Sequence, residues 1–121
     1  MTETFLSFYL RSNQILVHVA SLRAIGSPHR ICFLISPDGK SLLLIPYGKR
    51  DLKSHNIPYD VYRGSGGFRV NSKALCRILA GMHSWDTSCS YRVPGTIHRD
   101  RQLITFDLEA AGMINPQTLQ P

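Results

Sequence analysis

Two stretches of this chain repeat one pattern at a constant separation of 53 residues. Tyr9, Ser12, Val17, Leu22 and Ile25 are matched by Tyr62, Ser65, Val70, Leu75 and Ile78, and the polar His18 is matched by Asn71, giving six positions without a gap. A chain of 121 residues that carries one unit twice folds most simply as two similar halves related by an approximate twofold axis. Neither half is large enough to stand alone, because short helices and two-stranded ribbons are marginal in water. The halves must therefore bury their apolar faces on each other in one interlocked body.

Local pattern predicts the elements. Residues 4–10 are aromatic and β-prone and predict a strand, Ser12-Asn13 a turn, and Ile15-Leu16-Val17 the returning strand. A short helix is expected over 19–25, with Leu22 and Ile25 on one face and Gly26-Ser27-Pro28 as its stop. Ile31–Ile35 and Ser41–Ile45 read as apolar strands on either side of the turn Pro37-Asp38-Gly39-Lys40. Both are apolar almost throughout, so both of their faces should be covered.

Residues 48–58 are polar and basic and predict a linker. Asp60–Arg63, a turn at Gly64-Ser65-Gly66-Gly67, and Phe68–Val70 predict a second hairpin. Asn71 or Ser72 is placed to cap a helix running through Met82, with Ala74, Leu75, Ile78, Leu79 and Met82 as its apolar stripe. A loop over 83–89 holds the only tryptophan, Trp85. Ser90–Val93 and Gln102–Leu108 read as strands, and Pro94-Gly95 marks a bulge or an edge in the first of them. The expected fold is α+β: a tandem pseudo-twofold duplication of a β-β-α-β-β unit, mostly antiparallel sheet with two short helices. Its expected parts are a first half over 1–47, the basic linker over 48–58, a second half over 59–110 and a flexible tail over 111–121.

Catalytic signatures are missing. Gly64-x-Gly66-Gly67 does not lead directly into a helix and no Gly-Lys-Ser/Thr follows, so it reads as a hairpin turn rather than a phosphate loop. The histidines His18, His29, His55, His83 and His98 are scattered, and none stands four residues from another, which offers no metal spacing. His18 is expected to cap or sit at the surface, and His83 to pack beside Trp85. No Gly-x-Ser-x-Gly elbow occurs, and the acids are few and dispersed. Cys32, Cys76 and Cys89 are odd in number with no Cys-x-x-Cys pair, and Cys32 lies in an apolar run that suits burial. No segment has the length of apolar sequence that spans a bilayer, and the N-terminus lacks the basic lead-in of a secretory signal. A non-enzymatic, cytoplasmic protein without cofactor, metal or membrane is the expectation.

Charge points to a partner. The net charge is +6, and residues 40–77 alone hold eight basic side chains against two acids, a local balance of the same size. Lys49, Arg50, Lys53, Arg63, Arg69, Lys73 and Arg77 belong to this segment, and Arg11 and Arg23 occupy the related region of the first half. These nine residues are the candidate nucleic-acid contacts, since lysine and arginine neutralise phosphates and arginine on a β-ribbon can reach base edges. The expected partner is double-stranded DNA, for a transcriptional regulator or mobile-element accessory. The other reading is a protein-interaction module, antitoxin-like or adaptor, that meets an acidic partner or a second copy of itself.

Residues 13–26, from Asn13-Gln14-Ile15-Leu16-Val17-His18 through Leu22-Arg23-Ala24-Ile25-Gly26, followed by a hairpin ending Leu42-Leu43-Leu44-Ile45-Pro46, resemble the swapped-hairpin DNA-binding domains of the AbrB and MraZ type. That family shows Gly-Arg, an apolar trio, a proline, then Leu-Arg-x-x-Leu-Gly and a closing hairpin. The resemblance covers about residues 9–46 and, more faintly, 62–108. It implies a β-rich DNA-binding body with two copies in one chain. Gln14 and Gly67 stand where the family has arginine, and His18 and Asn71 replace its proline. Arg23 matches the Leu-Arg position but Cys76 does not, so Arg23 alone is carried over as a DNA contact. The chain is also similar to small proteins of Gram-positive anaerobes and their mobile elements, which implies no mechanism.

Overall fold

Alternating apolar residues along the strands set which side of the sheet meets the core. The computed structural model describes residues 2–114. The chain runs through strands β1 (Thr2–Tyr9) and β2 (Gln14–His18), helix α1 (Val19–Ala24), strands β3 (Arg30–Ile35), β4 (Ser41–Pro46) and β5 (Ser54–Asn56), and a 3-10 segment (Tyr59–Arg63). It continues with β6 (Gly67–Asn71), helix α2 (Lys73–His83), β7 (Ser90–His98), β8 (Leu103–Asp107), a 3-10 turn (Leu108–Ala110) and β9 (Gly112–Ile114). All strands join one antiparallel sheet in the order β5-β3-β4-β8-β7-β1-β2-β6, with β9 on β7. The sheet curls into a near-barrel. Leu6 and Phe8 of β1, Ile15 and Val17 of β2, Leu42 and Leu44 of β4, and Ile104 and Phe106 of β8 all turn inward into one core, where Leu22, Ile25 and Leu79 join them. The fold is thus α+β, with an antiparallel sheet and two helices.

Turn chemistry matches the sequence where glycine and aspartate are required. Gly39 takes φ +74° in the β3–β4 turn, and the Asp38 carboxylate accepts from the Ser36 hydroxyl and the Lys40 amide. Ser72 caps α2, its hydroxyl accepting from the Leu75 amide. His18 precedes α1 but makes no side-chain cap.

Several expectations are corrected. Asp60–Arg63 is not a strand. Pro58 bends the chain into the 3-10 segment, the Tyr62 hydroxyl donates to the Pro28 carbonyl, and Arg23 Nη2 donates to the carbonyls of Tyr62 and Gly64 at 2.6 and 2.8 Å. The segment is thereby anchored to the α1 region, and β6 pairs with β2 rather than with a hairpin partner of its own. The linker also contains structure, because Ser54–Asn56 adds β5 to β3. On α2 the buried face is Cys76, Leu79 and Ala80, with Leu75 half-buried. The expected stripe is rotated by about one position, and Ile78 and Met82 are 50% and 49% exposed. Residues 112–114 do not belong to the expected flexible tail: Gly112–Ile114 pairs with Ser90–Arg92 as β9, and residues 115–121 lie outside the described residues.

Pro94 and Gly95 lie inside β7, in unbroken register with Phe5 and Thr4 of β1 rather than at the expected bulge or edge. β9 pairs with Ser90–Arg92 and β8 with Gly95–His98 on the side of β7 away from β1, so Pro94 falls between two partners, where a missing amide proton costs little. Gly95 is required by packing. A β-carbon there would lie 2.4 Å from Phe106 Cδ1 and 2.8 Å from the Thr105 carbonyl oxygen. Gly95→Ala is expected to lower the unfolding free energy by about 1–3 kcal/mol through overpacking. A reduced urea midpoint at unchanged slope measures this; an unchanged midpoint contradicts it.

Core burial also ranks the thiols. Cys32 and Cys76 are buried and Cys89 is half-buried, all as free thiols. Desolvation pushes the Cys76 thiol up to about 11 and raises that of Cys32. In the native protein near neutral pH, Cys89 is expected to react first with an aromatic disulfide reagent, while Cys32 and Cys76 react only as the chain opens. Mass mapping of partially labelled protein reads the order, and early labelling at Cys76 contradicts it.

Candidate nucleic-acid interface

The inward residues of β7, β1, β2 and β6 leave their alternate neighbours on the outer face, and strand register sorts these into rows. Ser90, Tyr9, Gln14 and Asn71 form one row, and Arg92, Ser7, Leu16 and Arg69 the next. A third begins with Pro94 opposite Phe5 and ends with His18 opposite Gly67. An arginine therefore stands at each end of the middle row. The Arg69 guanidinium lies over the Tyr9 ring at 5.3 Å, and that of Arg92 over Phe5 at 4.3 Å. Phe5 also packs edge-on against His18, ring centroids 4.6 Å apart. Beneath this layer Ser7 is only 2% exposed, although it faces away from the core. A ring beneath a guanidinium fixes its plane and leaves its N–H edge free for phosphate or base.

The end of the face nearest α2 is polar. Gln14 Nε2 donates to Asn71 Oδ1 at 3.2 Å, and Arg69 Nη1 donates to Gln14 Oε1 at 3.3 Å. The Ser72 amide bonds the Asn13 carbonyl, which ties the start of α2 to the β1–β2 turn. Arg11 on that turn and Arg77 on α2 line one cleft of about 310 Å³ with Asn13 and Thr87. The Asp86 carboxyl is held below the usual carboxylate range, first by the Ser88 hydroxyl and in smaller part by the charge of Arg11.

The nine sequence candidates thus fall into separate groups. Arg11, Arg69, Lys73 and Arg77 gather where the β1–β2 turn, the end of β6 and the start of α2 meet. Arg23 is exposed, but its Nη2 holds the carbonyls of Tyr62 and Gly64 at the end of the 3-10 segment, and Arg63 lies over the Tyr59 ring at 5.1 Å. Lys49, Arg50 and Lys53 are exposed on the connection from β4 to β5, where Asp51 accepts from the Tyr47 hydroxyl and the Lys53 amide. The sequence reading left out Arg92, Gln14 and Asn71 as contacts. Alternation in Tyr91-Arg92-Val93 turns Arg92 outward, but only the β1–β7 pairing places it beside Phe5.

Elsewhere, a cleft of about 440 Å³ is lined by Glu3, Thr4, Phe5, His18, Ser21 and Arg99 among others, and the Thr4 and Ser21 hydroxyls bond across it at 2.6 Å. Among the described residues no group of three or more histidine, cysteine or acidic side chains is placed to hold a metal ion, and no helix is long and apolar enough to cross a membrane. No family model, curated protein or solved structure matches the chain.

Proposed function

We propose that the chain is a non-enzymatic, cytoplasmic protein that binds double-stranded DNA through the outer face of β6-β2-β1-β7, as a regulator or mobile-element accessory. The observation that carries this reading is the row with Arg69 and Arg92 at its ends, each guanidinium on an aromatic ring, beside the basic cluster of Arg11, Lys73 and Arg77. The four strands span roughly 14 Å, three spacings of ~4.8 Å, so Arg69 and Arg92 reach backbone phosphates while β2 and β6 at the edge of the face suit a major groove about 12 Å wide. β-ribbons dock there in several DNA-binding classes.

The tandem, swapped-hairpin reading belongs to the same proposal. β2 and β6 pair antiparallel with Leu16 opposite Arg69 at the centre, residues 53 apart, the spacing of the sequence echo. β4 and β8 pair with Leu43 opposite Thr105, residues 62 apart. At that same spacing Ile31 and Val93, Leu42 and Ile104, and Leu44 and Phe106 are each buried. β5 adds antiparallel to β3 as β1 does to β7, which supports β5 as the shortened counterpart of β1; the match of Tyr9 with Tyr62 does not belong to this equivalence, because Tyr62 lies in the 3-10 segment after β5.

Titrating binding of a fluorescent random-sequence duplex against salt tests the function. Each phosphate contact contributes roughly −0.9 to the slope of log affinity on log salt. Five contacts, from Arg11, Arg69, Lys73, Arg77 and Arg92, predict a slope between about −4 and −5. A flat response, or no binding at low salt, removes the DNA reading. The half-exposed Ile78 and Met82, one turn apart on α2, favour the protein-interaction module as the second reading.

A further inference from the structure

We infer that Asn71, Gln14 and Arg69 read guanine in the major groove, over one half of the β2–β6 pair only, from its centre to the Gln14–Asn71 end; this rests on the DNA-binding reading above. The three side chains form a chain of hydrogen bonds in which both amide oxygens already accept: Asn71 Oδ1 from Gln14, and Gln14 Oε1 from Arg69. Each of those oxygens keeps one lone pair, and the rest of the free capacity is all donor: both N–H groups of Asn71, the second N–H of Gln14 and the rest of the guanidinium. Tyr9 beneath Arg69 holds the guanidinium plane in place.

A donor-rich edge favours bases by their acceptors. Guanine presents N7 and O6, two adjacent acceptors, in the major groove. Adenine presents an acceptor and a donor, and an amide that reads it turns its oxygen to the N6 amino group; here each amide oxygen is already drawn to its neighbour by one hydrogen bond. Cytosine offers a donor, for which only those half-engaged oxygens remain. Thymine offers one acceptor beside a methyl group. Guanine is the base whose edge takes two donors side by side.

The opposite end of the ribbon carries no such set. His18 packs on Phe5 and its Nε2 is buried without a hydrogen-bond partner, while its cross-strand neighbour Gly67 has no side chain. The ribbon backbone is close to twofold in register, but the chemistry on it is one-sided. The recognised sequence is therefore a single guanine-containing element rather than a palindrome.

Selection from a duplex pool with a randomised centre is expected to enrich one guanine-rich element without a mirrored copy. Replacing the enriched guanines by 7-deazaguanine, which lacks the N7 acceptor, is expected to weaken binding roughly 5- to 150-fold, the range for losing one good base contact. Asn71→Ala and Gln14→Ala should reduce the preference for guanine while leaving the salt slope unchanged, with Trp85 fluorescence confirming the fold. Binding with a steep salt slope but no preference for guanine, or an adenine preference, overturns this inference and leaves DNA binding standing. Absence of duplex binding at low salt removes both together.

Discussion

Phe8→Ala lowers the free energy of unfolding by about 3–5 kcal/mol, the cost of deleting a large aromatic side chain from a packed interior. Phe8 is fully buried on β1, and its ring lies 5.4 Å from that of Trp85. Trp85 in turn stacks on Tyr91 at 4.9 Å, and the Tyr91 hydroxyl accepts from the Asp86 amide. Phe8 thus holds the loop after α2 against the sheet, and its removal opens a cavity that β1 and β7 are too firmly paired to collapse. A domain of this size has a total stability of roughly 5–15 kcal/mol, so the variant loses a large share of it. Trp85 is the only tryptophan and reports the transition directly. Ile15→Val, in the same core, serves as the mild comparison at about 0.5–1.5 kcal/mol. A Phe8→Ala loss no larger than that of Ile15→Val refutes the claim that Phe8 anchors the loop.

Replacing Arg11, Arg69, Lys73 and Arg77 together by alanine is expected to cut duplex affinity by about a thousandfold at 0.1 M salt and to flatten the salt slope by about 3 to 4. Replacing Lys49, Arg50 and Lys53 on the β4–β5 connection is expected to change both far less. The comparison separates position from charge. The two variants lose four and three positive charges, so a long-range field alone would weaken binding to a similar degree in both. Equal losses in the two variants therefore contradict a localised interface. Arg23→Ala provides a further contrast, since its guanidinium holds the carbonyls of Tyr62 and Gly64. It should lower stability without altering the salt slope.

Local chemistry was legible in the sequence where a single residue type decides the backbone. Gly39 in its turn, Ser72 at its cap and the apolar strands β3 and β4 follow from short-range rules. What remained hidden depended on partners distant in sequence. Tyr59–Arg63 has the composition of a strand, but Arg23 and Pro28, more than thirty residues away, hold it as a 3-10 segment. Ser54–Asn56 is too short and polar to announce itself, and becomes a strand only because β3 offers it an edge. On α2, the large Ile78 and Met82 outweigh the small Cys76 and Ala80 in any tally of hydrophobicity, although packing buries the small pair. The basic segment was visible as an excess of charge, yet its division among the β4–β5 connection, the 3-10 segment and the stretch from β6 into α2 required the sheet order. Gln14 and Asn71 carry no charge, and only their cross-strand register brings them together.

Leu16 faces Arg69 at the middle of the β2–β6 pair. Were such a pair made by two identical polypeptides, each strand would meet its own twin, and any change at one extremity would be stamped on the other. Here positions 14 and 67 have separate codons, so glutamine can occupy one while glycine occupies the other. Under the duplication proposed above, inheritance within a single reading frame lets an object with a symmetric skeleton acquire a front and a back.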